Sequence, residues 1–126
     1  MTKKIVVTGI GATSPLGGTA TDSWKALLAG ESGISSLQQD WVKELDLPVT
    51  FAGQARVRPE EVLERVEYKR LDPSSQFALI SAREALADYG SPVDDPVRIG
   101  VDYSTGIGGL WTLLDDCDTL KEKVPR

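Results

Sequence analysis

The feature that most constrains the fold of this chain is a short apolar run near its start, which ends in closely spaced glycines. Residues 5–7 read Ile-Val-Val, and glycines follow at positions 9, 11, 17 and 18. An apolar run bounded by glycine is typical of a strand buried on both faces, as in the centre of a parallel sheet. Because α/β proteins place ligand sites in the loops after such strands, the glycine loop is a candidate functional site.

A second segment late in the chain alternates like a strand and ends in another glycine-rich turn. Apolar side chains occupy every second position from Val97 to Tyr103, and residues 104–109 read Ser-Thr-Gly-Ile-Gly-Gly. Alternation with a period of two is typical of a strand. Glycines around Ile107 would let the backbone approach a ligand while one branched side chain shapes a pocket wall. A plain strand-to-helix turn would need the same residues, so both interpretations stay open.

Four helices are predicted between and after these strands. The first covers about 22–29 with Thr21 as its cap, the second begins at Pro59, the third covers 73–89, and the fourth covers about 109–122. Asp72 followed by Pro73 is a strong helix start, and Gly90 is a strong stop. The order of strands and helices predicts an α/β protein with parallel strands.

Each predicted helix carries an apolar face that should be buried. These faces contain Trp24, Leu27 and Leu28 in the first helix, Val62, Leu63 and Val66 in the second, Leu79, Ala82, Leu86 and Tyr89 in the third, and Leu110, Leu113, Leu114, Cys117 and Leu120 in the fourth. A Cys at helical spacing with leucines favours core packing over a reactive thiol.

The composition excludes several chemistries. The 126 residues carry a net charge of −5, one Cys and no His. An acidic balance argues against a nucleic-acid-binding protein, and without His this chain alone holds no Ser-His-Asp triad, no Cys-His pair and no His-ligated metal. The single Cys excludes an internal disulfide and fits a reducing compartment. Since no secretory signal or membrane-spanning stretch is visible in the sequence, we expect a cytoplasmic protein without a membrane partner.

The first glycine loop invites comparison with a dinucleotide-binding fingerprint. After Gly9 and Gly11, that fingerprint needs a third glycine at position 14, where this chain has Ser14. An acidic residue at the end of a second strand about 20 residues later is also missing. A nucleotide-binding α/β domain is therefore the weaker alternative, and a structural turn is the stronger one.

A small basic cluster stands out on this acidic chain. It consists of Arg65, Lys69 and Arg70. On a helix, residues 65 and 69 lie one turn apart on the same face. Such a cluster is either a plain solvated surface or a docking surface that attracts an acidic partner.

Three stretches together resemble a known family. They are Val-Val-Thr-Gly-Ile-Gly-Ala-Thr-Ser-Pro-Leu-Gly at 6–17, Ser-Trp-Lys-Ala-Leu-Leu-Ala-Gly-Glu-Ser-Gly-Ile at 23–34, and Ser-Thr-Gly-Ile-Gly-Gly-Leu at 104–110. In this order they resemble the N-terminal part of the type II β-ketoacyl-acyl carrier protein synthases, elongating condensing enzymes of the thiolase-like superfamily. Residues 41–47 and Arg70-Leu71-Asp72 look closest to the actinobacterial branch.

The resemblance implies a fold and a reaction. The fold is thiolase-like, layered α-β-α-β-α with mostly parallel strands, and residues 1–126 would be a single partial domain of it. The reaction is the decarboxylative condensation of an acyl thioester with malonyl-carrier protein in fatty acid biosynthesis. The family's nucleophilic Cys, two His and a Lys would lie beyond residue 126, so we expect this chain to hold no catalytic residue and to be inactive by itself. Its isolated strands would leave unpaired edges, so we also expect it to be marginally stable or unfolded alone.

The resemblance also assigns roles to residues of this chain. Ile107, with Leu110, Gly106 and Gly108, would form part of the acyl pocket, and Arg65, Lys69 and Arg70 would dock the acyl carrier protein. No cofactor or metal is implied, because the substrates are carried on the phosphopantetheine of the carrier. The intact protein would be a homodimer. A non-catalytic, chain-length-type partner subunit of a synthase would share these motifs, so that alternative stays open.

Overall fold

The fold is rich in helices. The computed structural model describes residues 3–93 and 95–123. The elements in chain order are α1 (Ala20–Leu28), β1 (Ser35–Ser36), α2 (Asp40–Glu44), β2 (Phe51–Ala52), α3 (Pro59–Val62), α4 (Arg65–Arg70), α5 (Pro73–Tyr89), a 3₁₀ turn (Pro96–Arg98) and α6 (Leu110–Glu122). The two short strands pair antiparallel, with Ser35 opposite Ala52 and Ser36 opposite Phe51.

The two buried strands predicted from the sequence are not formed in the described part of the chain. Residues 5–8 have no regular secondary structure, and the 3₁₀ turn replaces the start of the second predicted strand. Ile5 is 97% exposed and Val101 is 90% exposed. A strand needs a neighbour for its backbone hydrogen bonds, and these segments have none among the described residues. The predicted parallel, buried strands are therefore not formed in this structure, and the layered arrangement stays a prediction.

Helix α5 confirms its prediction at both ends. The Asp72 side chain accepts hydrogen bonds from the backbone N–H groups of Ser74 and Ser75, at 2.9 and 3.3 Å. Gly90 ends the helix in the left-handed region with φ of 68°. The buried residues of this helix are Gln76 and Ile80, whereas Leu86 is exposed. The predicted apolar stripe is thus wrong in detail, because the helix buries a face that lies next to it.

Helix α1 begins slightly before its predicted start. Thr19, two positions before the expected cap Thr21, accepts a hydrogen bond from the Asp22 N–H at 3.1 Å. Gly30 has the left-handed φ of 71° expected after the helix. The predicted burial of Trp24 is wrong, as are those of Leu27 and Leu28 beside it, because the face of α1 that packs inward carries Ala26.

The region from Pro59 to Arg70 folds as two short helices rather than one. Leu63 is extended between α3 and α4, and it is buried while Val62 and Val66 are exposed. The prediction that these three side chains share a buried face is therefore wrong. The break lets Leu63 reach the small core, whose other apolar members are Ala26, Val42 and Ile80.

Helix α6 forms where it is predicted, but its leucine face is open. Cys117 is exposed, and so are Leu110, Leu113, Leu114 and Leu120. The expectation that Cys117 packs in a core is wrong here, because no described element covers this face.

Among residues 3–93 and 95–123, no helix is both long and apolar enough to cross a bilayer.

Candidate functional site

The first glycine loop is shaped by close contact with α5. A Cβ placed on Gly9 would overlap the carbonyl oxygen of Ala85. A Cβ on Gly11 would overlap the carbonyl oxygen of Ser81 and lie 2.7 Å from the backbone N of Ala85. Glycine is needed at both positions because backbone packs directly against backbone. Close packing against α5 therefore explains why both residues are glycine, without a bound ligand.

Two carboxylates of α5 occupy the backbone donors of this loop. Glu84 accepts hydrogen bonds from the N–H groups of Ala12 and Ala20, both at 2.8 Å, and Asp88 accepts one from Ile10 at 2.9 Å. Ala20 is the first residue of α1, where a nucleotide-binding loop would hold a phosphate. Because a carboxylate already fills that place, the geometry argues against the nucleotide-binding alternative.

The second glycine turn is more open. The Thr105 hydroxyl accepts hydrogen bonds from the N–H groups of Ile107 and Gly108, at 3.4 and 3.0 Å. Gly108 has a φ of 78°, which favours glycine. Nothing lies within 4 Å of the place where a Cβ would be added at Gly106 or Gly108. The turn therefore presents Ile107, which is 76% exposed, at its tip.

The base of this turn rests on the N-terminus of α5. A Cβ on Gly109 would come within 2.8 Å of the Asp72 carboxyl carbon. Hydrogen bonds from the Ser74 and Ser75 hydroxyls, supported by their backbone N–H groups, lower the pKa of Asp72 to about 2. Asp72 therefore caps α5 as an anion, and Gly109 of the turn packs against its side chain. Leu110 follows at the start of α6 and is partly exposed.

The predicted basic cluster lies on α4. Arg65, Lys69 and Arg70 are all exposed. The ion pairs among the described residues are Arg58–Glu61, Arg83–Glu67 and Lys121–Asp118. None of them involves the basic cluster, whose three cations are therefore available to an anionic partner.

Two side chains of α5 contact α4, and neither contact was predicted from the sequence. Arg83 donates two hydrogen bonds to the Glu67 carboxylate, at 3.0 and 2.7 Å. Gln76, only 6% exposed, donates from Nε2 to the carbonyl oxygens of Tyr68 and Leu71, at 2.9 and 2.8 Å. A six-residue helix is not stable in isolation, so the contacts with α5, above all those of the buried Gln76, hold the basic cluster at a fixed place.

A groove that the sequence analysis also missed runs between α1, α5 and the first glycine loop. Its volume is about 800 Å³, and its apolar lining includes Ile10, Leu16, Trp24 and Leu27. The predicted pocket residues Ile107 and Leu110 are not part of it. Within the described ranges, no three side chains of Cys, Asp or Glu gather as metal ligands.

Comparison with known proteins identifies the family. Residues 2–125 match the model of the β-ketoacyl synthase N-terminal domain. The chain is 35% identical to proteins named 3-oxoacyl-[acyl-carrier-protein] synthase 2 from Coxiella burnetii and Vibrio cholerae, and 33% identical to the one from Staphylococcus aureus strain N315. Each alignment covers 98% of this chain and 30% of the relative. The chain thus spans less than a third of the length of these relatives, and the likeness to the actinobacterial branch stays a prediction. Over the part that it spans, this chain belongs to the β-ketoacyl synthase family, whose N-terminal domain implies a thiolase-like fold.

Proposed function

We propose that this chain acts as part of a 3-oxoacyl-[acyl-carrier-protein] synthase of fatty acid biosynthesis. The observation that carries the proposal is the match to the β-ketoacyl synthase N-terminal domain over residues 2–125. Likeness to synthases from three bacteria over 98% of the chain supports it. The reaction would join an acyl thioester to malonyl-carrier protein with loss of carbon dioxide.

In this proposal the chain contributes binding surfaces rather than reacting groups. It has no His, and its one Cys, Cys117, lies exposed on α6. The nucleophile and the groups that hold the oxyanion would come from other parts of the protein. The layered α-β-α-β-α arrangement belongs to the same proposal. In that arrangement, other parts of the protein would bury apolar side chains that are exposed here, such as Ile5 and Val101.

The basic cluster would dock the acidic acyl carrier protein. Arg65, Lys69 and Arg70 are exposed and outside the ion pairs of the described residues. Complementary charge accelerates association and orients the partner, so three available cations suit this role. The substrate would arrive on the phosphopantetheine of the carrier, and no further cofactor is part of the proposal.

The second glycine turn would form part of the acyl pocket. Ile107 projects from the tip of the turn, and Leu110 lies three residues further on, at the start of α6. Open space around Gly106 and Gly108 leaves the backbone accessible to a chain of methylenes.

A homodimer in the cytoplasm completes the proposal, in keeping with a single Cys and a reducing compartment.

The test is a condensation assay with the full-length protein. Acyl-carrier and malonyl-carrier proteins are supplied together, and the products are identified by mass spectrometry. We expect a 3-oxoacyl-carrier that is longer by the two carbons that malonate donates. Carrier binding without any condensation would contradict the synthase and favour the non-catalytic partner subunit. Neither binding nor condensation would overturn the whole proposal.

A further inference from the structure

The only acidic residue inside α4 lies in the middle of the basic cluster. Glu67 is flanked along the helix by Arg65, Lys69 and Arg70. Side chains three or four positions apart are neighbours on a helix surface, so Glu67 and Arg70 are within reach of each other. An unoccupied Glu67 carboxylate would therefore pair with Arg70 and would also repel an acidic partner.

The structure prevents this by directing Glu67 towards α5. Both carboxylate oxygens of Glu67 accept hydrogen bonds from the Arg83 guanidinium, in a fork-to-fork pair. One of these oxygens also accepts the backbone N–H of Glu64 at 3.2 Å, which closes a capping box at the start of α4. The Arg83 hydrogen bonds keep the pKa of Glu67 below its usual value, so the carboxylate stays ionised and paired.

We propose that Arg83 is a positioning residue of the docking surface, which occupies Glu67 so that Arg70 and its basic neighbours stay available to an acidic partner. This inference rests on the carrier-docking role proposed above. Arg83 would act through Glu67 and would not itself need to touch the carrier.

The contacts of α4 indicate that Gln76 anchors the helix and that the Glu67–Arg83 pair acts mainly on surface charge. Gln76 already holds the carboxyl end of α4 through the carbonyl oxygens of Tyr68 and Leu71. The Glu67–Arg83 pair is more exposed, with 28% and 49% of the two side chains accessible. Exposed pairs add little to folding stability. The larger consequence of the Glu67–Arg83 pair is therefore its effect on the distribution of charge on the surface of α4.

Four variants of the full-length protein separate this role from simpler ones. Arg83→Gln frees the Glu67 carboxylate. Glu67→Gln removes the acid, and it retains a residue that suits the third position of a capping box. The double variant removes both partners. Lys43→Gln on α2 is the matched control, because it deletes one exposed cation away from the cluster.

The measurement is the dissociation constant for purified holo-acyl carrier protein at low and at high salt. We expect Arg83→Gln to weaken binding about fivefold at low salt, with a smaller loss at high salt, because charge attraction between exposed groups is screened. Glu67→Gln should bind at least as tightly as the wild type, and the double variant should recover wild-type affinity. Lys43→Gln should bind like the wild type.

Several outcomes would overturn the inference. A purely structural role of the pair predicts that Glu67→Gln weakens binding as Arg83→Gln does, and direct contact of Arg83 with the carrier predicts no recovery in the double variant. An unchanged affinity of Arg83→Gln, while Arg65→Gln weakens binding, would refute the inference and leave the proposed function intact. If the wild type does not bind the carrier at all, the proposed function fails as well.

Discussion

The two glycine-rich turns of this chain look alike in sequence and differ in their surroundings. Gly9 and Gly11 lie against the backbone of α5, so a side chain has no room at either position. Gly106 and Gly108 have open space around them, although Gly108 needs its positive φ. The first turn is therefore explained by packing within the chain. The second has room for something that the chain itself does not provide, which is what a pocket wall requires.

The sharpest way to break this comparison is to add one methyl group to each turn. Gly11→Ala would place its Cβ against the Ser81 carbonyl, and we expect it to lower the free energy of unfolding by about 3 kcal/mol. Gly106→Ala is the matched control, because no atom lies within 4 Å of its added Cβ. Denaturant unfolding of the full-length variants measures both. Equal losses at the two positions would contradict the distinction between the turns.

The next largest effect is expected at the basic cluster on α4. Replacing Arg65 and Lys69 together by Gln should raise KM for the acyl-carrier substrate about tenfold at low salt, because exposed cations steer an acidic partner. The effect should shrink as the ionic strength rises. Lys43→Gln is the control for the loss of an exposed cation outside the cluster. A change in kcat at constant KM would place these residues outside the docking surface.

A smaller and more selective effect is expected at Ile107. Because this side chain is exposed at the tip of the second turn, Ile107→Phe should leave the thermal unfolding temperature nearly unchanged. If Ile107 lines the acyl pocket as proposed, a bulkier side chain there should lower kcat/KM about fivefold for long acyl chains, which corresponds to the loss of about 1 kcal/mol of binding to a methylene-lined site. Rates with short acyl chains should change less. Equal losses with all chain lengths would argue against the pocket role.

The smallest effect is a dependence of stability on pH at the base of the second turn. Hydrogen bonds from Ser74 and Ser75 lower the pKa of Asp72 from 3.8 to about 2. Since the folded-state pKa lies below the unfolded value, this contribution is fully present above pH 3.8 and is lost as the pH falls towards 2. Thermal unfolding of the wild type and of Asp72→Asn across this range measures it. The difference between them should be largest above pH 4 and should disappear only below pH 2, where the carboxyl group is protonated in both states; a constant difference would contradict the cap.

Local signals in the sequence were enough to predict α1, α5 and α6, but not α2 or the break between α3 and α4. Asp72, Pro73 and Gly90 act on neighbouring backbone groups, so α5 could be placed at both ends from the sequence alone. The cap of α1 was predicted at Thr21 and lies at Thr19, which also carries a hydroxyl suited to a cap. A choice between them depends on where the preceding loop lies.

Features that depend on distant partners could not be predicted in the same way. The strand prediction for the apolar run at residues 5–7 had the right local pattern, but a strand also needs a neighbour, and none pairs with this run among the described residues. The pairing of Arg83 with Glu67 joins residues 16 positions apart on different helices. The one residue in the sequence that pointed to a contact between α4 and α5 was Gln76, a polar residue one turn before the buried Ile80. The predicted roles of Ile107 and of the basic cluster came from the family resemblance, and they stay proposals.

Hydrogen exchange of the full-length protein, with and without carrier, tests this account most directly. We predict that holo-acyl carrier protein slows exchange at residues 65–70, and that only the acylated carrier also slows it at residues 104–110. The first glycine loop, residues 9–18, should not change, because its Ile10 and Ala12 N–H groups are already hydrogen-bonded to side chains of α5. Slower exchange at 9–18 without any change at 65–70 and 104–110 would contradict the account.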